Sequence, residues 1–360
     1  METHKVLGLM SGTSLDGLDL AYCHLTEENG KWDFDIIKTK SVSYSTELKL
    51  ELKDAIHLDD VAHTHLHYEY GEWLGSQSKT FIEQEGLDVD FISSHGHTSH
   101  HQPDKGITFQ LGHGQRLADV SGQKVVCDFR VKDVGLGGQG APLVPIGDHH
   151  FFSKYDFCLN LGGISNVSFD YSGKRIAYDI GLANMPLNHI VQKIGMEYDE
   201  NGNLARTGKL NQPLFDALNQ LDYYKLDFPK STGYEWFIGA VLPVLNATEM
   251  SDADALHTFI HHNCFQIAEA LSRHTQKQEN TIFVTGGGAY NAFFMETLQE
   301  HLGSSFSVKI PSHTLIGFKE AVVFALMGAL RLKNKTNVLS AVTGASEDSS
   351  SGVIFNPTQN

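Results

Sequence analysis

The sequence predicts an α/β protein made of two halves with one topology, and three observations carry that prediction. Short apolar runs ending in Gly, Ser or Asn alternate with longer segments of helical periodicity. Three closely spaced strands followed by helices occur near the N-terminus and again from residue 156. Three glycine clusters fall at turns beside these strands. A length of 360 residues also favours two domains over one.

Lys5–Met10 is apolar and stops at Ser11-Gly12, which reads as a strand and a turn. Leu20–Leu25 and Asp35–Val42 extend it into an antiparallel meander. Leu58–Glu85 is a helix, with Val61, Leu66, Tyr70, Trp73 and Leu74 near one face. Val89–Ser93 is a buried strand. Thr108–Leu111 and Lys124–Cys127 are strands flanking a helix at Gln115–Val120, and a glycine-rich loop spans Gly135 to Gly140. Asp156–Leu161, Ile164–Phe169 and Arg175–Tyr178 repeat the opening meander. Ala253–Gln276, Asn291–Leu302 and Gly317–Leu332 are helices, with a strand at Thr281–Thr285. The expected halves are 1–145 and 146–335, with 336–360 a candidate to pack back on the first.

Composition narrows the function. Lys and Arg total 27 against 43 Asp and Glu, a net charge of −16, which disfavours nucleic acid and anionic membranes as partners. Apolar residues at 41% suffice for a large core. Cys23, Cys127, Cys158 and Cys264 form no CxxC pair, which suits a reducing compartment. Met1–Val6 is polar and lacks the character of a leader, and the apolar stretch Ala321–Leu330 is too short to span a bilayer. A cytoplasmic location is expected.

The chemistry is carried by three turns. The first is GLMSGTSLDGLD, from Gly8 to Asp19, between two strands. Its small residues let backbone N–H groups approach an anion, Thr13 and Ser14 add hydroxyl donors, and Asp16 and Asp19 could hold Mg²⁺ through water. A decorated hairpin is the plain alternative. The second is NLGGISN, from Asn160 to Asn166, again a hairpin. The third is TGGGAYN, from Thr285 to Asn291, which leads from a strand into a helix and suits close approach of a flat or anionic ligand. Together they follow the order of the actin/Hsp70/sugar-kinase fold. In that fold two RNase H-like half-domains face a central nucleotide cleft, each half supplies a phosphate hairpin, and the third cluster receives adenosine.

Longer strings point further. MSGTSLDGLD (Met10–Asp19), SHGHT (Ser94–Thr98), DFRVKDVGLGGQGAPLVP (Asp128–Pro145), NLGGISN, PKSTGYEWF (Pro229–Phe237), VTGGGAYN (Val284–Asn291) and the pair Glu320-Ala321 resemble the motifs of the anhydro-N-acetylmuramic acid kinase family, in its order and over nearly the whole chain. The resemblance implies an ATP- and Mg²⁺-dependent kinase of cell-wall sugar recycling that hydrolyses a 1,6-anhydro bridge and phosphorylates O6. It implies a homodimer. It places ATP against Gly12, Thr13, Ser14, Leu15, Asp16, Gly17, Leu18, Asp19, Gly162, Gly163, Gly286, Gly287, Gly288 and Asn291. It places the sugar against His95, His97, Arg130, Gly138, Asn184 and Glu320, and makes Asp179 the general base. The family's base motif is close to DTGPGN. Asp179, Gly181 and Asn184 match it, while Ile180, Leu182 and Ala183 depart, as do Asn188 and His97. These departures keep open a different amino sugar, or a nucleotide-binding sensor without turnover.

Each residue also has a structural alternative. Asp179 follows a predicted strand end and could cap the next helix. Arg130 suits a substrate carboxylate, or an ion pair with Asp128 or Asp133. Glu320 could accept from sugar hydroxyls, or sit in the N-terminal part of the last helix. The chain has 20 histidines, clustered at 57–67 and 95–101. His63 and His67 stand four apart on a predicted helix, a spacing that can chelate metal, but no further ligand pattern accompanies them.

Overall fold

The computed structural model describes residues 1–12, 14–275 and 277–358. It divides into two compact units, Met1–Phe151 with Phe318–Asn360, and Phe152–Gly317. In the first unit Glu2–Ser11 (β1), Leu18–Glu28 (β2) and Lys31–Val42 (β3) form an antiparallel meander. On its other side β1 pairs in parallel with Phe91–Ser94 (β4). His97–Gln102 (β5) and Ile107–Leu111 (β6) make a separate hairpin. Val125–Cys127 (β7) then runs parallel to β4.

Period-2 alternation places the two faces of this sheet in different cores. Val6, Ala21, Cys23 and Leu25 pack with Ala321–Leu330 of the helix His313–Leu332. Leu7, Leu9, Leu18, Leu20 and Tyr22 pack with Leu66, Tyr70 and Leu74 of the helix Asp60–Glu85. Each fully buried Leu contributes roughly 1.5–3 kcal/mol.

The second unit repeats the plan. Phe157–Leu161 (β8), Ile164–Tyr171 (β9) and Lys174–Leu182 (β10) form the meander. Asn280–Thr285 (β11) runs parallel to β8, and Phe306–Lys309 (β12) parallel to β11. Its core joins these strands to the helices Asp252–Ser272 and Ala292–Leu302. Ser251 and Asn291 cap the two helices through their side chains. The strand order, β3-β2-β1-β4-β7 in one unit and β10-β9-β8-β11-β12 in the other, is the same. Near the C-terminus Val353–Phe355 (β13) pairs antiparallel with β7 and extends the first sheet.

Residues 146–151 and 318–335, assigned from sequence to the second half, lie in the first unit. Packing is the reason. Phe151 packs at a tilt against Phe34 of β3, ring centres 4.6 Å apart, and the last helix covers β1, where a Cβ on Gly8 would stand 2.0 Å from the Ala321 carbonyl oxygen. Several elements had no clear sequence signal, among them the helix Thr46–Asp54, the His-rich β5, β12, and the short helices between Asn184 and Asn246.

Candidate active site

The first unit's site starts at the turn between β1 and β2. Leu15 N–H donates to Gly12 O at 3.2 Å, and Leu15 adopts φ 59°, a left-handed conformation that a branched side chain rarely takes. Ser14 and Asp16 are exposed, beside Gly17. Thr13 lies outside the described residues. The Leu18 side chain is wholly buried in the core below the turn, which leaves only its backbone to face a ligand. Asp19, opposite Met10 on β2, accepts from Ser41 Oγ at 2.5 Å. Burial pushes the Asp19 carboxyl up and the charge of Asp16 adds to this, while the Ser41 bond pulls it down.

Beneath the turn, Ser11 Oγ bonds Tyr44 OH at 2.6 Å and His97 Nδ1 at 3.1 Å, and Tyr44 OH bonds Tyr70 OH at 3.0 Å. Burial lowers His97 to about 4, so it is neutral near pH 7. His97 therefore anchors the turn from below. Sequence reasoning passed over Ser11 and Tyr44 because neither carries a charge.

His95 is buried, and its main chain reaches β1 through His95 N–H to Leu9 O at 3.1 Å. Its Nδ1 donates to Gly96 O at 2.9 Å, and its Nε2 accepts from Arg130 Nε at 3.1 Å and Nη2 at 2.8 Å. Burial, then the Arg130 charge, hold it down at about 3. Arg130 Nη1 donates to Gly140 O at 2.5 Å. Its guanidinium is thus fixed by His95 and the glycine loop, which corrects the ion-pair reading with Asp128 or Asp133. Asp133, fully buried, accepts from Gly140 N–H at 2.8 Å and Thr343 Oγ1 at 2.7 Å. A Cβ on Gly138 would stand 2.3 Å from Asp133 Oδ2, so Gly138 lets the loop fold over this carboxylate.

Glu320 is the eighth residue of the helix His313–Leu332, in the N-terminal half of that helix but beyond its first turn. It is exposed to solvent, yet surrounding protein atoms raise its carboxyl. Lys319 and Arg130 pull it down and Asp19 pushes it up. Asp16, Asp19, Glu320 and Arg130 therefore belong to one electrostatic neighbourhood.

In the second unit the Gly162–Gly163 turn meets the start of the helix Asn184–Gln192. Asn184 N–H donates to Gly162 O at 3.0 Å, and Met185 N–H to Gly163 O at 3.1 Å. Asn184 Nδ2 donates to Leu161 O at 3.0 Å. Gly286, at φ 83°, and Gly288 press on Leu161, where a Cβ on either would meet atoms at 2.7 Å. Gly287 and Gly288 would each place a Cβ within 4 Å of the Asn184 side chain. Asn184, expected beside the sugar, thus sits where the second and third glycine clusters converge. Asn291, at the end of the third cluster, caps the following helix, its Oδ1 accepting from Phe294 N–H at 2.9 Å.

Asp179 lies inside β10, opposite Asn166, at a bulge between Asp179 and Gly181. The strand runs on to Leu182, so Asp179 does not cap the helix that starts at Asn184. The sequence signal ended at Tyr178 because the bulge breaks the alternation. Asp179 Oδ2 accepts from Ser231 Oγ at 2.9 Å and Thr232 N–H at 3.0 Å. Burial raises its carboxyl, while these bonds and Lys230 lower it. Ser231 and Thr232 belong to the string PKSTGYEWF, and no charge marks either as a partner of a carboxylate 52 positions away.

The N-terminal histidine cluster is packed ring on ring. His63 and His67 both meet Phe109 edge-on, at 4.8 and 4.9 Å, and His67 Nδ1 accepts from Gly112 N–H at 3.1 Å. Among the described residues no group of three or more His, Cys, Asp or Glu could hold a metal. Nor is any helix among them long and apolar enough to cross a membrane.

Two units with one five-strand order, each with a glycine turn after its first strand, define the α/β class of actin, Hsp70 and the sugar kinases. The sequence matches the family described as Anhydro-N-acetylmuramic acid kinase over residues 4–357. It is 33% identical to an anhydro-N-acetylmuramic acid kinase of Synechococcus elongatus, covering 98% of this chain and 99% of that one. It is 34% identical to one of Xylella fastidiosa, covering 94% and 93%. This chain belongs to the anhydro-N-acetylmuramic acid kinase family. Component A of (R)-2-hydroxyglutaryl-CoA dehydratase from Acidaminococcus fermentans is a similar solved structure, with TM-score 0.46, 13% identity, and coverage of 90% and 96%.

Proposed function

We propose that this chain phosphorylates anhydro-N-acetylmuramic acid with ATP, opening the 1,6-anhydro bridge in the same reaction, as a step of peptidoglycan recycling. The observation that carries the reading is the family match over residues 4–357, joined to an Asp179 carboxylate held in a strand bulge. Asp179 takes a proton from water as the oxygen attacks the anomeric carbon. The bond from that carbon to O6 breaks, and O6 attacks the γ-phosphorus as ADP leaves. General-base help is typically worth ~10²–10⁴-fold, and phosphoryl transfer relies on positioning and charge stabilisation.

Phosphates are received at the two hairpins, Gly12–Gly17 and Gly162–Gly163, and adenosine at Gly286–Gly288. Arg130 binds the lactyl carboxylate through a guanidinium already oriented by His95, and Glu320 accepts from sugar hydroxyls. The donor set fits Mg²⁺: Asp16 and Asp19 repel each other, and Asp19 is partly withdrawn from water, a conflict a divalent cation relieves. Bound there, Mg²⁺ would neutralise phosphate charge. A homodimer in the cytoplasm, where ATP is available, goes with this reading. Light scattering at twice the chain mass is the expected result.

ADP release with MgATP and this sugar, compared between the native chain and Asp179→Asn, tests the proposal. Turnover that needs the sugar and falls at least 10³-fold in the variant supports it. Full activity of the variant, or no sugar dependence, removes it. Ile180, Leu182, Ala183 and Asn188 favour one second reading, a different amino sugar, which a panel of non-anhydro sugars would reveal.

A further inference from the structure

One segment, Tyr223 to Thr232, makes four hydrogen bonds to the single residue Asp179. Tyr223 OH donates to the Asp179 carbonyl oxygen at 2.7 Å. Asp179 N–H donates to Lys230 O at 3.2 Å. Ser231 Oγ and Thr232 N–H both donate to Oδ2, at 2.9 and 3.0 Å. The segment is itself braced. Lys230 Nζ lies 4.6 Å from the Tyr223 ring centre and 5.8 Å from that of Tyr178, and donates to Tyr223 O at 3.3 Å.

A carboxylate in a β-strand has no reason of its own to receive this attention. The β9–β10 ladder occupies one edge of Asp179, and the other is open because β10 is the outermost strand of its sheet. A structural Asp would satisfy its oxygens with whichever donors lie nearby. Here both donors fall on the same oxygen.

We infer that the segment Lys230–Thr232 is a strap that positions the general base, anchoring Oδ2 so that Oδ1 takes the proton from water. Ser231 is its positioning residue by side chain, and Thr232 by backbone. The inference rests on the proposed role of Asp179.

Two physical consequences follow. A donor to the ionised carboxylate favours the charged form, so removing one raises the carboxyl's pKa. An anchored oxygen also restricts rotation of the carboxyl, so its loss lowers turnover more than sugar binding.

The test combines a titration with kinetics. The Asp179 carboxyl is followed by ¹³C NMR, assigned by its disappearance in Asp179→Asn, in the native chain, Ser231→Ala and Ser231→Thr. Ser231→Ala is expected to titrate higher by about half to one pH unit. Ser231→Thr keeps the hydroxyl and is expected to return to the native value. The acidic limb of kcat/KM for the sugar is expected to move by the same amount, with kcat reduced several-fold and KM little changed. A Ser231→Ala titration that coincides with the native curve overturns the strap. So does a fall in activity at all pH values with no shift of the limb, which marks a merely structural residue. If the native chain turns over no anhydro sugar, the functional reading fails, and the NMR titration still decides whether the strap sets the carboxyl.

Discussion

At the residue scale, Arg130 shows how protein neighbours fix a charged group, as its proposed role toward the sugar carboxylate requires. Three of its donors are engaged, Nε and Nη2 by His95 and Nη1 by Gly140. Burial lowers it to about 10, so it remains charged near neutrality. Lysine cannot reproduce that planar fork. Arg130→Lys is expected to raise KM for the sugar about tenfold or more, on the order of 1–3 kcal/mol, with kcat less affected. An unchanged KM would take Arg130 out of the sugar site. Gly288 makes the corresponding case for nucleotide. A Cβ there would press on Leu161 at 2.7 Å. Gly288→Ala is expected to weaken ATP binding about tenfold, by forcing the proposed adenosine turn away from the Gly162–Gly163 hairpin. Calorimetry of nucleotide binding, with circular dichroism to confirm folding, checks this. Residue identities of this kind were legible in the sequence through short strings. Their partners were not, since His95 and Arg130 are 35 positions apart and Asp179 and Ser231 are 52.

At the element scale, the pattern of apolar runs located most strands and the long helices, because each buries one face or both and so leaves a period of 2 or 3.6. It failed where a bulge or a polar strand disturbs the period. β10 runs four residues beyond its predicted end because the Asp179 bulge shifts the register. β5, with His97, His100 and His101, looked like a loop, yet its hairpin is held against the helix Asp60–Glu85 through His63 and Ser99 at 2.9 Å. The most demanding packing is between β1 and the last helix, where Gly8 faces Ala321. Gly8→Ala is expected to destabilise the chain by at least about 1–3 kcal/mol, since a Cβ 2.0 Å from a backbone oxygen requires the helix to move. A urea midpoint equal to that of the native chain would contradict this contact.

At the scale of the whole molecule, charge and histidine content set the response to acid. Burial holds His95 and His262 down at about 3 and His97 at about 4, while an unfolded chain would titrate them near ~6.5. Below that value the unfolded state takes up protons that the folded state refuses, so stability falls as pH falls from about 6.5 toward the folded values. Each fully buried histidine costs on the order of 1.4 kcal/mol per pH unit in that window. Denaturant midpoints at pH 7.5 and 5.5 are expected to differ clearly, the lower pH giving the lower midpoint. Equal midpoints would mean that these histidines are exposed in solution. The raised carboxyls Asp19, Asp179 and Glu320 work in the opposite sense, because the folded state holds their protons to higher pH. By itself the sequence determined the α/β class, the repeated meander and the three glycine turns, and it singled out Asp179 as the proposed base, because local periodicity and short motifs are written in neighbouring residues. Only the tertiary structure decided that the last helix completes the first unit, that Asn184 belongs with the glycine clusters, and that a strap from 230 to 232 holds Asp179. Those outcomes depend on which distant segments can bury a face or satisfy a donor together, and no local pattern carries that information.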